Sequence, residues 1–282
     1  VTFPTDAKVK EYRVDGGAWT TYSSVITISK NSIVETRTID DAGNVSAIGS
    51  LSISNIDKTA PVNASLSADK TDATNTDVKV TISYPSDTSV KEYKIGSSGT
   101  WIAYTTPGLV SSNNTVFARS TDAVGNISTE ASLVVSNIDK TSPDQPTLKA
   151  VKTTGTNTNV NVTIDFPTDA NVKQYRVDGG TWTIYSSAVI ITKNGLVEAR
   201  AMDEAGNVSS IGSLSVSNID KTAPVNPSFV PSTTTPTNKN VTVTINFPTD
   251  ATVKQYKVGS TGTWTTYTTP VVVSANNTVY AR

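Results

Sequence analysis

A tryptophan followed three residues later by a tyrosine occurs four times in this chain, at Trp19/Tyr22, Trp101/Tyr104, Trp182/Tyr185 and Trp264/Tyr267. The tryptophans stand 82, 81 and 82 residues apart. Self-similarity at a fixed step of this length defines an array of small units, each a structural piece repeated along the chain. Other landmarks keep the step. A proline closes an apolar run at Pro4, Pro85, Pro167 and Pro248. An Asp-x-x-Gly-Asn-x-Ser stretch recurs at Asp40–Ser46, Asp122–Ser128 and Asp203–Ser209, and Asn-Ile-Asp-Lys-Thr-(Ala/Ser)-Pro at Asn55–Pro61, Asn137–Pro143 and Asn218–Pro224.

A second period lies above the first. Repeats one and three read Tyr-Arg-Val-Asp-Gly-Gly-x-Trp at Tyr12–Trp19 and Tyr175–Trp182, whereas repeats two and four carry one more residue, from Tyr93 to Trp101 and from Tyr256 to Trp264. Even repeats also share Tyr-Thr-Thr-Pro and Asn-Asn-Thr-Val, and landmarks two repeats apart are offset by 163 residues throughout. The duplicated unit is therefore a pair of unlike domains.

The alternation within each unit is that of strands. Val78, Val80, Ile82 and Tyr84 fall on one face, with Lys79, Thr81 and Ser83 on the other; Val160–Phe166 and Val241–Phe247 repeat the pattern. That is a half-buried antiparallel strand, and the proline after its aromatic residue ends the ladder because it has no N–H to donate. Further strands are predicted near Ser65–Ala68, over Val90–Ile95, Trp101–Tyr104 and Thr115–Ser120, and around Leu133 and Val135. No stretch sustains a 3.6-residue apolar period. About seven short strands in roughly 80 residues point to a two-sheet sandwich of immunoglobulin or fibronectin type. The expected architecture is all-β, with repeats at 1–57 (lacking its first strand), 58–139, 140–220 and 221–282 (lacking its last). The Asp-Lys-Thr-x-Pro linkers are short, free of glycine and stiffened by proline. A ten-residue strand spans roughly 33 Å, so four such domains end to end make a rod on the order of 150 Å.

Composition removes several kinds of chemistry. The chain has no histidine and no cysteine, so neither Ser-His-Asp nor Cys-His catalysis can be assembled, and disulfides and thiolate metal sites are excluded. A net charge of −1 gives no electrostatic case for nucleic acid or an anionic membrane. No run is long enough to be a membrane-spanning helix. The expectation is a protein that is not an enzyme, has no cofactor, and carries no membrane-inserted segment.

The joint pattern Tyr-x-(Val/Ile)…Gly-x-Trp-x-x-Tyr, Val-x-(Ala/Thr)-Arg-x-x-Asp-x-x-Gly-Asn-x-Ser and Ile-Asp-Lys-Thr-x-Pro resembles the tandem immunoglobulin-like repeats of bacterial cell-wall-associated, S-layer and adhesin proteins, especially of Gram-positive bacteria. The resemblance covers the whole chain. It implies β-sandwich domains and an extracellular, cell-surface location, and it names no ligand, since such repeats also serve as spacers in secreted glycoside hydrolases.

Candidate sites each have a plain structural reading. Trp19, Trp101, Trp182 and Trp264 offer platforms for stacking sugars, or else pack between sheets or over a sheet edge. Asp40, Asp122 and Asp203, and the junction residues Asp57, Asp139 and Asp220, are candidate calcium ligands. Calcium wants about six to eight oxygens, usually from clustered carboxylates, and each of these is locally isolated, so an Asx-turn accounts for them as well. Arg37, Arg119, Arg200 and Arg282 recur on an outward face, where a carboxylate or an aromatic ring is the expected partner. The leading functional reading is a stalk or fibre segment that self-associates into a fibre or lattice. Multivalent binding of cell-wall or matrix glycans, or the spacer tail of a secreted polysaccharide-degrading enzyme, are the alternatives. If alternate domains meet different neighbours, an ordered assembly repeats every two domains, roughly 80 Å from strand rise.

Overall fold

The computed structural model describes residues 1–282 and contains strands, turns and no helix. Contacts group the chain into two compact units, Val1–Pro143 with Met202–Val208, and Asp144–Ala201 with Ser209–Arg282.

In the first unit, β1 (Val9–Val14), β2 (Thr20–Thr21), β3 (Ser32–Ile39) and β4 (Gly49–Ile53) form one antiparallel sheet in the order β2-β1-β3-β4. The following repeat supplies β5 (Ser65–Ala68), β6 (Val78–Ser83), β7 (Val90–Ile95), β8 (Ile102–Ala103), β9 (Gly108–Val110), β10 (Asn114–Thr121) and β11 (Ala131–Val135). These divide into a three-stranded sheet, β5-β6-β9, and a four-stranded one, β11-β10-β7-β8. Strict alternation in β6 puts Val78, Val80 and Ile82 inward, against Val116 and Ala118 of β10 and Val135 of β11. The core therefore lies between two sheets, as in a sandwich of immunoglobulin or fibronectin type.

The second unit repeats this arrangement. Its strands β12 (Thr147–Ala150), β13 (Val160–Asp165) and β16 (Val189–Ile191) face β15 (Thr183–Ile184), β14 (Val172–Val177), β17 (Gly195–Met202) and β18 (Gly212–Val216). The core holds Val160, Val162, Ile164, Val197 and Ala199. In the last repeat β19 (Ser228–Pro231), β20 (Val241–Asn246) and β23 (Val271–Val273) form one sheet, and β22 (Thr265–Thr266), β21 (Gln255–Val258) and β24 (Val279–Ala281) the other.

Two expectations shift. The predicted strand at Trp101–Tyr104 shortens to Ile102–Ala103, because it is a sheet edge that pairs only at Glu92↔Ala103 and Tyr93↔Ile102. Residues 1–57 carry one sheet instead of two: the run Ile26–Ile28, which corresponds to β16, is not a strand, and neither is Val1–Pro4. Val189 and Ile191 of β16 are held by Val162 and Val160 of β13. Ile26 and Ile28 have no such strand to pair with, and the adjoining Val25 is 88% exposed.

Candidate functional site

Successive side chains of a strand point to opposite faces, so residues three apart face opposite ways. The Trp-x-x-Tyr spacing uses this. Tyr104 and Tyr185 pack against the cores of their repeats. Each stands edge-on to the tyrosine of the neighbouring strand, with centroids 5.8 Å apart for Tyr93–Tyr104 and 6.2 Å for Tyr175–Tyr185. The phenolic oxygen accepts a backbone N–H from the opposite sheet: Ile82 to Tyr104 at 2.9 Å, Ile164 to Tyr185 at 3.2 Å and Ile245 to Tyr267 at 3.0 Å. The inward tyrosine is thus a bolt between the sheets. Burial raises the pKa of Tyr84, which packs beside Tyr104 and donates its hydroxyl to the Glu92 carbonyl.

The tryptophans lie outside all three core clusters. They are half-buried on the outer face of the sheet that carries the tyrosine pair, four-stranded in the first three repeats and three-stranded in the last, and each is held by two cations. Arg13 and Arg37 approach the Trp19 ring at 4.6 and 4.3 Å, and Arg176 and Arg200 approach Trp182 at 4.6 and 4.3 Å. Lys94 and Arg119 stand 4.6 and 4.4 Å from Trp101, and Lys257 and Arg282 stand 5.2 and 4.3 Å from Trp264. A desolvated cation on a ring face is attracted by the ring quadrupole. This corrects any placement of the indole between the sheets: the position three before an inward tyrosine has the opposite parity.

The recurrent arginines also have strand partners. Arg37 donates to Glu11 at 2.7 Å and Arg119 to Glu92 at 2.9 Å, while Arg200 and Arg282 donate to Gln174 and Gln255 at 2.9 Å each. The second cation differs between odd and even repeats. In odd repeats it is arginine bound to glutamate, Arg13 to Glu35 at 2.8 Å and Arg176 to Glu198 at 2.8 and 3.1 Å. The hydrogen bond with Glu198 raises the Arg176 pKa. In even repeats a lysine sits between two rings, Lys94 also lying 5.1 Å from Phe117 and Lys257 5.2 Å from Tyr280. Sequence reasoning missed these slots because the partners lie 22 or 23 positions apart and meet only once the strand register is known.

The repeated aspartates organise turns. Asp122 Oδ1 accepts the N–H groups of Val124 and Asn126 at 2.9 and 2.8 Å, and Oδ2 accepts the Asn126 side-chain amide at 2.7 Å. Gly125, at φ +98°, supplies the left-handed step that closes the turn. Ser128 Oγ accepts the Ser120 N–H at 3.0 Å. Asp40 makes the same bonds to Ala42 and Asn44, and Asp203 accepts both the backbone and the side-chain amide of Asn207 at 2.8 Å. Asn44 and Asn126, through their side-chain amides first, hold the Asp40 and Asp122 carboxyls below their ordinary pKa. At Asp203 burial pushes upward, and the bonds from Asn207 outweigh it. Asp57, Asp139 and Asp220 each accept the N–H two residues on, from Thr59, Thr141 and Thr222, at 2.9 Å. No group of three or more carboxylate, imidazole or thiol side chains comes together. No helix is long and apolar enough to cross a membrane.

A cleft of about 860 Å³ opens in the last repeat among Val241, Val243, Val273 and Val279. In the second repeat the corresponding Val78, Val80, Val110 and Val116 are covered by Val135 and Ile138.

No protein-family model and no curated protein matches this chain. Among solved structures it is similar to the fibronectin(III)-like modules of Clostridium thermocellum CbhA, with 14% identity and a TM-score of 0.29 over 56% of this chain and 95% of that one. A score of that size does not define a topology; the fold rests on the strand pairing described above.

Proposed function

We propose that this chain is a non-catalytic structural segment of a bacterial cell-surface protein, a stretch of extracellular stalk or fibre that gains length by repetition. The domain boundaries of this reading fall at 57/58, 139/140 and 220/221. The observation that supports it is that the recurrent indoles, arginines and turn aspartates find partners within their own repeat. Indoles are held by cations of their own repeat, the arginines by Glu or Gln of the neighbouring strand, and the turn aspartates by backbone and asparagine amides. Residues so engaged within each copy let copies be added without disturbing a shared site. Small-angle scattering of the chain tests this: an extended particle with a maximum dimension on the order of 150 Å, from strand rise, is expected. A compact particle would remove the reading. In any ordered assembly the axial repeat is expected to span two domains, and an assembly repeating at every single domain counts against alternate partners.

Glycan binding by the aromatic face is the second reading, favoured by the partial exposure of all four indoles. Binding to a glycan array that disappears in Trp264→Ala would establish it. Calcium at the turn or junction aspartates is not expected to matter, so chelation should leave melting and particle length unchanged.

A further inference from the structure

The linker after the first repeat is gripped from both sides within two residues. Ile56 donates its N–H to Asn31 of the preceding repeat at 2.9 Å, and the Asp57 carbonyl accepts the side-chain amide of Asn126 in the following repeat at 3.3 Å. Asn126 is the asparagine of the Asp-x-x-Gly-Asn-x-Ser turn. Its amide has two hydrogens: one closes the turn on Asp122, and the other reaches the linker. The same pair of bonds recurs inside the first compact unit at Asn207, to Asp203 at 2.8 Å and to the Asp139 carbonyl at 2.9 Å. Asn44 closes its own turn on Asp40 at 2.8 Å, and its side-chain amide makes that one bond.

We propose that the turn asparagine is a latch that fixes the linker from the preceding repeat onto the repeat carrying the turn. Sandwich domains joined by a few residues move relative to each other by default unless something holds the joint. Here the turn asparagine does so from the following repeat, with Asn31 holding the first linker from the preceding one. Beside Asn207, the Asn75 N–H also donates to the Ala205 carbonyl at 3.2 Å. The Asp-x-x-Gly-Asn-x-Ser motif thereby gains a role beyond closing a hairpin. The proposal deepens the stalk reading by naming what stiffens it.

The chain has no cysteine, so Ser24→Cys and Ser111→Cys place one spin label on each side of the joint between the first two repeats. Pulsed dipolar spectroscopy of the full chain should give a single narrow distance. Asn126→Ala should lose that peak to a broad distribution. Asn44→Ala, which removes the same turn bond but no latch, should keep it. A narrow peak in Asn126→Ala, or equal broadening in Asn44→Ala, overturns the proposal. Should Asn126→Ala unfold its repeat, side-chain amide exchange in the unaltered chain decides. Both amide hydrogens of Asn126 and Asn207 should exchange slowly, against one slow and one fast at Asn44; the Asn44 pattern at all three sites overturns it. A narrow peak in a compact particle would instead remove the stalk reading and leave the latch standing.

Discussion

The second and third repeats, one even and one odd, share a core and differ on one outer face. In the third repeat, Asp178 takes φ +50° and Gly179 φ +71°, a turn with two left-handed residues that joins β14 to the tryptophan strand. The Asp178 side chain accepts the Leu196 N–H at 2.8 Å, and the cation beside Trp182 is arginine bound to Glu198. In the second repeat the turn is one residue longer and begins at Gly96. Asn114 accepts the neighbouring Thr115 N–H at 2.9 Å in place of the missing aspartate, and the cation is Lys94 between Trp101 and Phe117. The longer turn also brings the Ser97 carbonyl within 3.3 Å of the Lys94 ammonium, as Ser260 does for Lys257 at 2.8 Å. Turn length, capping residue, cation and cross-strand partner therefore change together.

That coupling supplies a cause for the 163-residue register inside a single repeat. An arginine facing Phe117 would lack the cross-strand carboxylate of the odd repeats, keeping only Glu130, which lies 3.7 Å from the Lys94 ammonium, and a glutamate facing Lys94 would displace one wall of an aromatic slot. Exchange of any one of these residues alone leaves another without its partner. Ancestry and alternating assembly contacts both predict the same register, so the three causes are separated only by asking which differences are energetically linked.

The largest test checks that the difference stays on the outer face. Tyr104→Ala in an even repeat and Tyr185→Ala in an odd one each remove a ring between the sheets and orphan a backbone N–H. Each should cost about 3 kcal/mol, at the lower end for a large aromatic. Because several domains unfold separately, the measurement is hydrogen exchange at Val116 and Val197, read repeat by repeat. Unequal losses would mean that odd and even cores differ as well.

Trp101→Ala should cost less, about 1–2 kcal/mol, from two cation–aromatic contacts and the apolar area beneath a half-buried ring. A loss as large as that of Tyr104→Ala would return the indole to the core. Exchange at Val116 reports this too.

How much of this was legible depends on the range of the contact. Alternation in Val78–Ser83 gave the strand and its buried face directly, and the opening strand at Ser65–Ala68 and the strand at Val90–Ile95 match their predicted bounds. The parity of Trp-x-x-Tyr, which the sequence reading did not use, sends one ring in and one out, a signal present in the spacing alone. What could not be read was the pairing across strands. Arg13 meets Glu35 and Lys94 meets Phe117 only through a register set by the whole sheet. The second hydrogen bond of Asn126 was hidden for the same reason, since its partner Asp57 lies in the linker 69 residues away.

Acid should act on both repeat types through their turns and on the first repeat through one further group. The Asp40 and Asp122 carboxyls lie below their ordinary pKa because asparagine amides and backbone N–H groups bind the charged form. For a depressed carboxyl the contribution is complete above the unfolded pKa and is lost as pH falls through the folded one. Asp15 is lowered chiefly by the Ile33 N–H and belongs to the odd turn alone. Asp122→Asn should flatten the acid limb of the second repeat, and Asp15→Asn that of the first. If Asp15→Asn leaves the acid limb unchanged, the odd turn has no acid sensitivity of its own.

The smallest effect is the most discriminating. In the third repeat Arg176→Lys and Glu198→Phe together convert the odd pair to the even one. Each single change leaves a partner unmatched: lysine cannot make the two-point bond to Glu198, and phenylalanine leaves the guanidinium without its carboxylate. The double variant should therefore lose less than its two singles combined, the signature of residues in contact. Its stability should also respond less to salt, because the double variant loses the half-buried carboxylate–guanidinium attraction that salt screens. Exchange at Val197 over a salt series reads both. If the single losses simply add, the pair is not linked within the repeat, and the odd–even register must be explained by ancestry or by assembly.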